Sequence, residues 1–243
     1  MGKLDGKIAI LTGASRGIGR GIGRALAREG AAVVLVSRKQ AGLNEAAAEL
    51  AVHGVPVVVQ AANVADEAAV DELFRVTLAR FGRLDLLVNN AGAFNGGPLD
   101  SLSVDDWDHV IATNLRGPFL CTRAALRIMK PQRSGRIINI GSISAQRVRP
   151  GSAPYSASKH GLWGLTQVTA LEGREYGVTC GCLQPGNIAT ERRQGSGKPE
   201  DDEPMITVDE IAEVALLMAT LPPHVEMLEA IVLPRNQLYV GRG

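Results

Sequence analysis

Short, continuous apolar runs alternate with longer amphipathic segments from one end of this chain to the other, and few folds accommodate that order. The runs cover residues 8–11, 32–36, 55–59, 86–88, 137–140, 178–183 and 231–233. None alternates apolar with polar, so each reads as a strand buried on both faces, as in a parallel sheet. Between them, apolar spacing predicts helices over 18–28, 40–52, 68–81, 104–129, 156–176 and 208–221. Asp66 and Ser103 stand where N-caps belong; Gly30, Gly54, Gly82, Gly135 and Gly177 stand where the preceding helices should stop. A strand–helix–strand unit repeated in this way predicts an α/β fold: a doubly wound parallel sheet of seven strands in a three-layer αβα sandwich. No linker, repeat or low-complexity tract interrupts the 243 residues, so one domain over 1–243 is expected. The longest irregular segment, 186–207, has the length of a functional lid or a disordered loop.

Composition matters here mainly for what it excludes. A formal net charge of +1 provides no electrostatic case for nucleic acid or an anionic membrane surface. No apolar stretch reaches the ~20 residues that span a bilayer, and the N-terminus lacks a signal-peptide core. Cys121, Cys180 and Cys182 are odd in number and form no CxxC pair, which argues against a disulfide framework or a metal site. Cys180 and Cys182 lie in an apolar run and read as small buried side chains. A soluble protein of a reducing, cytoplasmic compartment is expected.

Directly after the first strand comes Thr12-Gly13-Ala14-Ser15-Arg16-Gly17-Ile18-Gly19, which opens the first helix. Glycines in that context let backbone approach a pyrophosphate, and a helix N-terminus offers unpaired N–H groups to it. This is the phosphate-binding turn of a Rossmann dinucleotide site; the alternative is a tight turn that binds nothing. The second strand should end beside the adenosine ribose, where an NAD site places an acid. This chain has Ser37-Arg38, with Arg16 in the glycine turn. Arg38 and Arg16 can clamp a 2′-phosphate, so NADP(H) is expected over NAD(H), unless both arginines are simply solvated.

Farther along, Tyr155-Ser156-Ala157-Ser158-Lys159 puts a phenol and an amine one helical turn apart on one face. Free tyrosine has a pKa near ~10, and a neighbouring ammonium pulls it toward the working range. The pair is a candidate acid/base device; a core ring beside a solvated amine is the plainer reading.

Taken in order, Thr12-Gly-x-x-x-Gly17-Ile-Gly19, Asn89-Asn90-Ala91-Gly92, Asn114, Ser142, Tyr155-x-x-x-Lys159 and Pro185-Gly186 resemble the single-domain short-chain dehydrogenase/reductase family over about residues 4–190. The resemblance implies a role for each position. Tyr155 would pass a proton to the carbonyl oxygen, and Lys159 would lower the Tyr155 pKa and bind the nicotinamide ribose. Ser142 would hydrogen-bond the substrate oxygen. Asn114 would hold a water relaying protons to Lys159. Considered alone, Asn114 reads equally as a packing residue and Ser142 as a turn hydroxyl. Gly13, Ser15, Arg16, Gly17, Ile18 and Gly19 would cradle the diphosphate, Ser37 and Arg38 the adenosine ribose, and Asn63 and Val64 the adenine. Asn90, Ala91 and Gly92 would line the ribose, while Pro185, Gly186, Ile188 and Thr190 would border the nicotinamide end.

Three departures from the family pattern stand out. Asn63 replaces the usual aspartate, Asn187 replaces an apolar residue, and the ending at about 224–243 lacks the usual glycine-rich turn and valine-aspartate-glycine close. Relatives use that region to assemble, so a homo-oligomer, dimer or tetramer, is expected, but the tail is free to fold over a partner or over its own pocket. The pocket should be lined by 94–98, 144–154 and a substrate loop over about 187–207, with Arg147, Arg149, Arg192 and Arg193 either reading an acidic carrier or solvated. The chain is similar to 3-oxoacyl-[acyl-carrier-protein] reductases, especially over residues 12–19 and 137–159. The implied activity is NADPH-dependent reduction of a ketone to a secondary alcohol, a small-molecule carbonyl/alcohol couple. The alternatives are an NAD-dependent alcohol dehydrogenase and a non-catalytic nucleotide sensor.

Overall fold

The computed structural model describes residues 2–191, 193 and 203–239. Seven strands form the main sheet: β1 (Ile8–Thr12), β2 (Ala32–Ser37), β3 (Val57–Ala61), β4 (Leu86–Asn89), β5 (Gly135–Ile140), β6 (Val178–Pro185) and, after two short strands, β9 (Glu229–Val232). Their order is β3-β2-β1-β4-β5-β6-β9, and each neighbouring pair is parallel. The short strands β7 (Ile188–Ala189) and β8 (Ile206–Thr207) pair with each other and close the base of the long loop. Helices α1 (Gly17–Arg28), α2 (Gln40–Leu50), α3 (Glu67–Phe81), α4 (Val104–Ile111), α5 (Gly117–Gln132), α6 (Ala153–Gly173) and α7 (Val208–Thr220) cover the two faces. The continuous apolar runs have a direct cause. Leu11, Leu35 and Ile138 join the core shared with α1 and α7, while their neighbours Ile10, Val34 and Ile137 join the core shared with α3 and α5. Both faces of β1, β2 and β5 are therefore apolar at these positions.

Asp66 and Ser103 cap α3 and α4 as expected, accepting from Ala68 and Asp106 N–H respectively. Gly30, Gly54, Gly82 and Gly177 take the positive φ that ends a turn, but Gly135 does not. The left-handed residue after α5 is Arg133, at φ 55°, and Gly135 already belongs to β5. Glycine is needed there for space: a Cβ would meet Met129 Cγ and Sδ at 2.4 Å. The strand expected at 55–59 starts two residues later, because Pro56 has no N–H to give and contributes only its carbonyl, to Val33 N–H. The helix expected over 104–129 is broken by a π turn at Ala112–Arg116, which turns Asn114 inward and leaves it 1 % exposed. Such insertions recur at functional positions.

At the opposite end of the sheet from the glycine turn, Asp85 is buried between Lys7 and Arg83 and accepts Ile8 N–H at 3.0 Å. Burial alone would raise its pKa, but Arg83, the Ile8 amide and Lys7 together hold it below the usual carboxylate value. A depressed folded-state pKa stabilises above the unfolded value and loses that contribution as pH falls through the folded one. Asp85→Asn is therefore expected to cost about 2 kcal/mol near neutrality. In urea unfolding, the gap to wild type should close as pH falls below about 4; a gap that persists in acid would refute the charge-based origin.

Candidate active site

The strand order reverses between β1 and β4, and the chemistry-bearing residues gather at the carboxyl ends of the strands beside that reversal, where open α/β sheets bind ligands. The glycine turn is built for close approach. Gly13 and Gly17 have φ of 66° and 53°. A Cβ on Gly19 would lie 2.3 Å from the Gly13 carbonyl oxygen. Thr12 Oγ1 accepts from Asn90 and Ala91 N–H at 3.0 and 3.1 Å, and Asn90 Nδ2 donates to the carbonyls of Thr12 and Gly13. Asn90 thus laces the turn after β4 to the turn after β1 through its Nδ2 group. Arg16 and Arg38 are both exposed, and neither meets a carboxylate among the described residues. Ser15 and Ile18 lie half-buried in the turn, and Ser37 Oγ accepts Lys39 N–H at the end of β2. After β3, Asn63 is exposed and its Oδ1 accepts Ala65 N–H, while Val64 is buried against Gly117.

An acid missed by sequence reasoning occupies the head of α1. Gly17 N–H donates to the Glu191 carboxylate, at 3.1 Å to Oε2, and Thr190 packs over the same glycine. An anion held by this N–H tests the cradle directly: the helix head accepts negative charge, as a diphosphate site must.

Tyr155 lies in the first turn of α6, half-buried, with its ring edge-on to Phe94 at 5.2 Å between centroids. Lys159 follows one turn on, 5 % exposed, with Nζ 5.5 Å from the Tyr155 ring centre. That ammonium donates to the Ile140 carbonyl at 2.7 Å, leaving two of its three N–H groups for other partners. Ile140 ends β5, two residues before Ser142. Ser142 is buried and caps a one-turn helix, its Oγ accepting Ser144 N–H at 3.1 Å while its own O–H stays available to donate. Asn114 brackets Ala93 with both ends of its amide, at 2.7 and 2.9 Å, and donates to Ser158 Oγ at 3.2 Å. Its side chain therefore anchors the loop after Gly92 to α6.

On the other wall, Gly97 N–H donates to the Gly151 carbonyl and joins the two pocket-lining loops. Arg149 stacks over Phe94, and Arg147 over Tyr239. Just past β6, Gly186 N–H donates to the carbonyl of Val232 at the end of β9, and Ile188 is buried in β7. Asn187 is buried: it donates to Glu203 at 2.6 Å and accepts from Arg193 at 2.8 Å. It ties down the loop whose Arg192 and residues 194–202 lie outside the described residues. The atypical ending folds over its own chain, with Val240, Gly241, Arg242 and Gly243 outside the described residues. Gln184 was not singled out by sequence reasoning either, although it is a polar residue in a largely apolar strand. Gln146, Glu229 and Tyr239 lie in the expected pocket lining, 144–154, or in the atypical ending, 224–243, with no individual role read for them.

Burial pushes the Cys121 and Cys182 thiols up to about 12 and raises Cys180 as well, so none has the character of a nucleophile. Among the described residues no cluster suits a metal ion, and no helix is long and apolar enough to cross a membrane.

Residues 7–201 match the family described as short chain dehydrogenase. A 3-oxoacyl-[acyl-carrier-protein] reductase from Synechocystis is 42 % identical over 192 residues, covering 79 % of this chain and 78 % of the relative. A metagenomic short-chain oxidoreductase solved with NADP superposes with a TM-score of 0.83 at 36 % identity, covering 96 % of this chain and 98 % of that one. An alcohol dehydrogenase from the archaeon Thermococcus sibiricus, complexed with 5-hydroxy-NADP, has a TM-score of 0.87 at 32 % identity, with 95 % and 97 % covered.

Proposed function

The chain belongs to the short-chain dehydrogenase family, and from that premise we propose that it is an NADPH-dependent reductase of a ketone, with Tyr155 as the proton donor and the whole chain acting as one catalytic domain. One observation carries this reading: Lys159 Nζ sits beneath the Tyr155 ring and is fastened to Ile140 O, two residues from Ser142, at the strand ends next to the glycine cradle.

The residues fit the cofactor. Gly13, Gly17 and Gly19 leave the space, the α1 head accepts an anion, and Arg16 and Arg38 stand free to hold a 2′-phosphate. When bound, NADPH supplies hydride. The protein's part is orientation and the proton. Tyr155 gives its hydroxyl proton to the carbonyl oxygen, and the Lys159 ammonium stabilises the phenolate left behind. The free Ser142 O–H donates to the same oxygen where negative charge develops. Asn114 holds the water that relays protons to Lys159: its Nδ2 ties the Ala93 carbonyl to Ser158, while its Oδ1, which accepts Ala93 N–H, keeps a second lone pair. The similarity to a 3-oxoacyl-[acyl-carrier-protein] reductase supports a 3-oxoacyl thioester among the ketones. Exposed Phe119, Val168 and Leu171 on α5 and α6 support a homo-oligomer, and three free, buried cysteines support a reducing, cytoplasmic setting. Loss of NADPH absorbance should be followed against ketones, 3-oxoacyl thioesters and quinones; silence across all three would overturn the reading.

Glu191 adds a directional prediction. Its carboxylate holds the N–H that a diphosphate needs, so it competes with the cofactor. Glu191→Ala is expected to tighten NADPH binding about two- to fivefold by fluorescence titration. Weaker binding would show instead that Glu191 supports the cofactor site.

A further inference from the structure

The unusual ending of this chain is hydrogen-bonded to the turn that carries Ser142, and the connection passes through one carboxylate. Glu229, the first residue of β9, accepts Nε2–H from Gln184 at 3.1 Å and from Gln146 at 2.7 Å. Gln184 is fully buried, and its Oε1 accepts Ser142 N–H at 2.7 Å. Gln146 Oε1 accepts the hydroxyl of Tyr239, whose ring lies under the Arg147 guanidinium. The same tail reaches the loop after β6. Gln237 Oε1 accepts Asn187 N–H at 2.9 Å and fills the space over Gly186, where a Cβ would lie 2.2 Å from it.

A carboxylate only accepts hydrogen bonds. Both glutamines must therefore turn their NH2 groups to Glu229, which points one carbonyl oxygen at the Ser142 amide and the other at Tyr239. A neutral amide at position 229 would impose no such choice. We infer that Glu229 is a positioning residue, which sets the Ser142 turn through Gln184 and, through Gln146, docks the C-terminal tail as a roof over the substrate mouth of its own chain. This rests on the role proposed above for Ser142. It makes Tyr239 a determinant of ketone binding that the usual family ending does not supply.

The test compares Glu229→Gln, Tyr239→Phe and the double variant, each with two readouts. The first is steady-state ketone reduction with NADPH affinity measured separately. The second is limited trypsin cleavage after Arg235, which is exposed within the tail and reports docking whether or not the protein is an enzyme. Glu229→Gln should lower kcat about five- to tenfold at unchanged NADPH affinity and speed cleavage after Arg235 severalfold. Tyr239→Phe, which keeps the ring, should raise the ketone KM and speed cleavage while leaving kcat within about twofold. In the double variant cleavage should be no faster than in Glu229→Gln alone, because Tyr239 is held through Gln146 and Glu229. Cleavage unchanged in both single variants, or a Glu229→Gln enzyme with wild-type kcat, would overturn the inference. If the wild-type chain reduces no ketone, the proposed function fails, and the trypsin comparison alone then decides whether Glu229 docks the tail.

Discussion

Tyr155→Phe is expected to bind NADPH as wild type does and to lose about a hundred- to ten-thousandfold in kcat for ketone reduction, the range that a positioned general acid contributes. The structure makes this a clean experiment. Phenylalanine keeps the ring that packs edge-on against Phe94, and no hydrogen bond from the Tyr155 hydroxyl to another described residue would be broken. The fold should be untouched, and so should the cradle, which lies on different elements. Rates within a few-fold of wild type would remove Tyr155 from the role of acid and shift attention to Ser142, whose O–H is the other donor available nearby.

The second large effect concerns cofactor choice. Arg38→Asp should weaken NADPH binding on the order of a hundredfold, combining a lost charge-assisted hydrogen bond with repulsion of the 2′-phosphate. NADH affinity should change little or improve, because an acid at the end of β2 suits a free 2′-hydroxyl. Arg38 is exposed and meets no carboxylate among the described residues, so its loss leaves no partner stranded. Parallel losses for both cofactors would show that Arg38 does not discriminate between them. A loss confined to NADPH would support the cofactor preference proposed above.

Much of the sheet could be read from residue order, because a strand buried on both faces is apolar at most positions and few segments satisfy that. Leu11 beside Ile10 and Leu35 beside Val34 carried the signal, each neighbour feeding an opposite core. Boundaries were less legible. Pro56 delays β3 by two residues because it cannot donate, and Met129 rather than chain reversal explains Gly135. The π turn at Ala112–Arg116 was not read from the sequence, because the apolar residues on either side of it read as one continuous helix. In the site, glycines and the Tyr155–Lys159 pair are legible because their chemistry depends on local spacing. Glu191 and Glu229 are not, because each acts on a residue far away in sequence: Gly17 in one case, Gln146 and Gln184 in the other. The fold alone brings them together. The partners of Asn187, Glu203 and Arg193, were likewise not legible, because the loop geometry that brings them together leaves no local pattern.

The central claim is that this site passes hydride from a nicotinamide to a carbonyl carbon while Tyr155 protonates the oxygen. It is tested most directly with NADPH carrying deuterium at both positions of nicotinamide C4, and with mass spectrometry of the alcohol formed from any ketone that turns over. One deuterium per product molecule, bound to the carbinol carbon, is the result this account predicts. An alcohol free of deuterium at that carbon would contradict it.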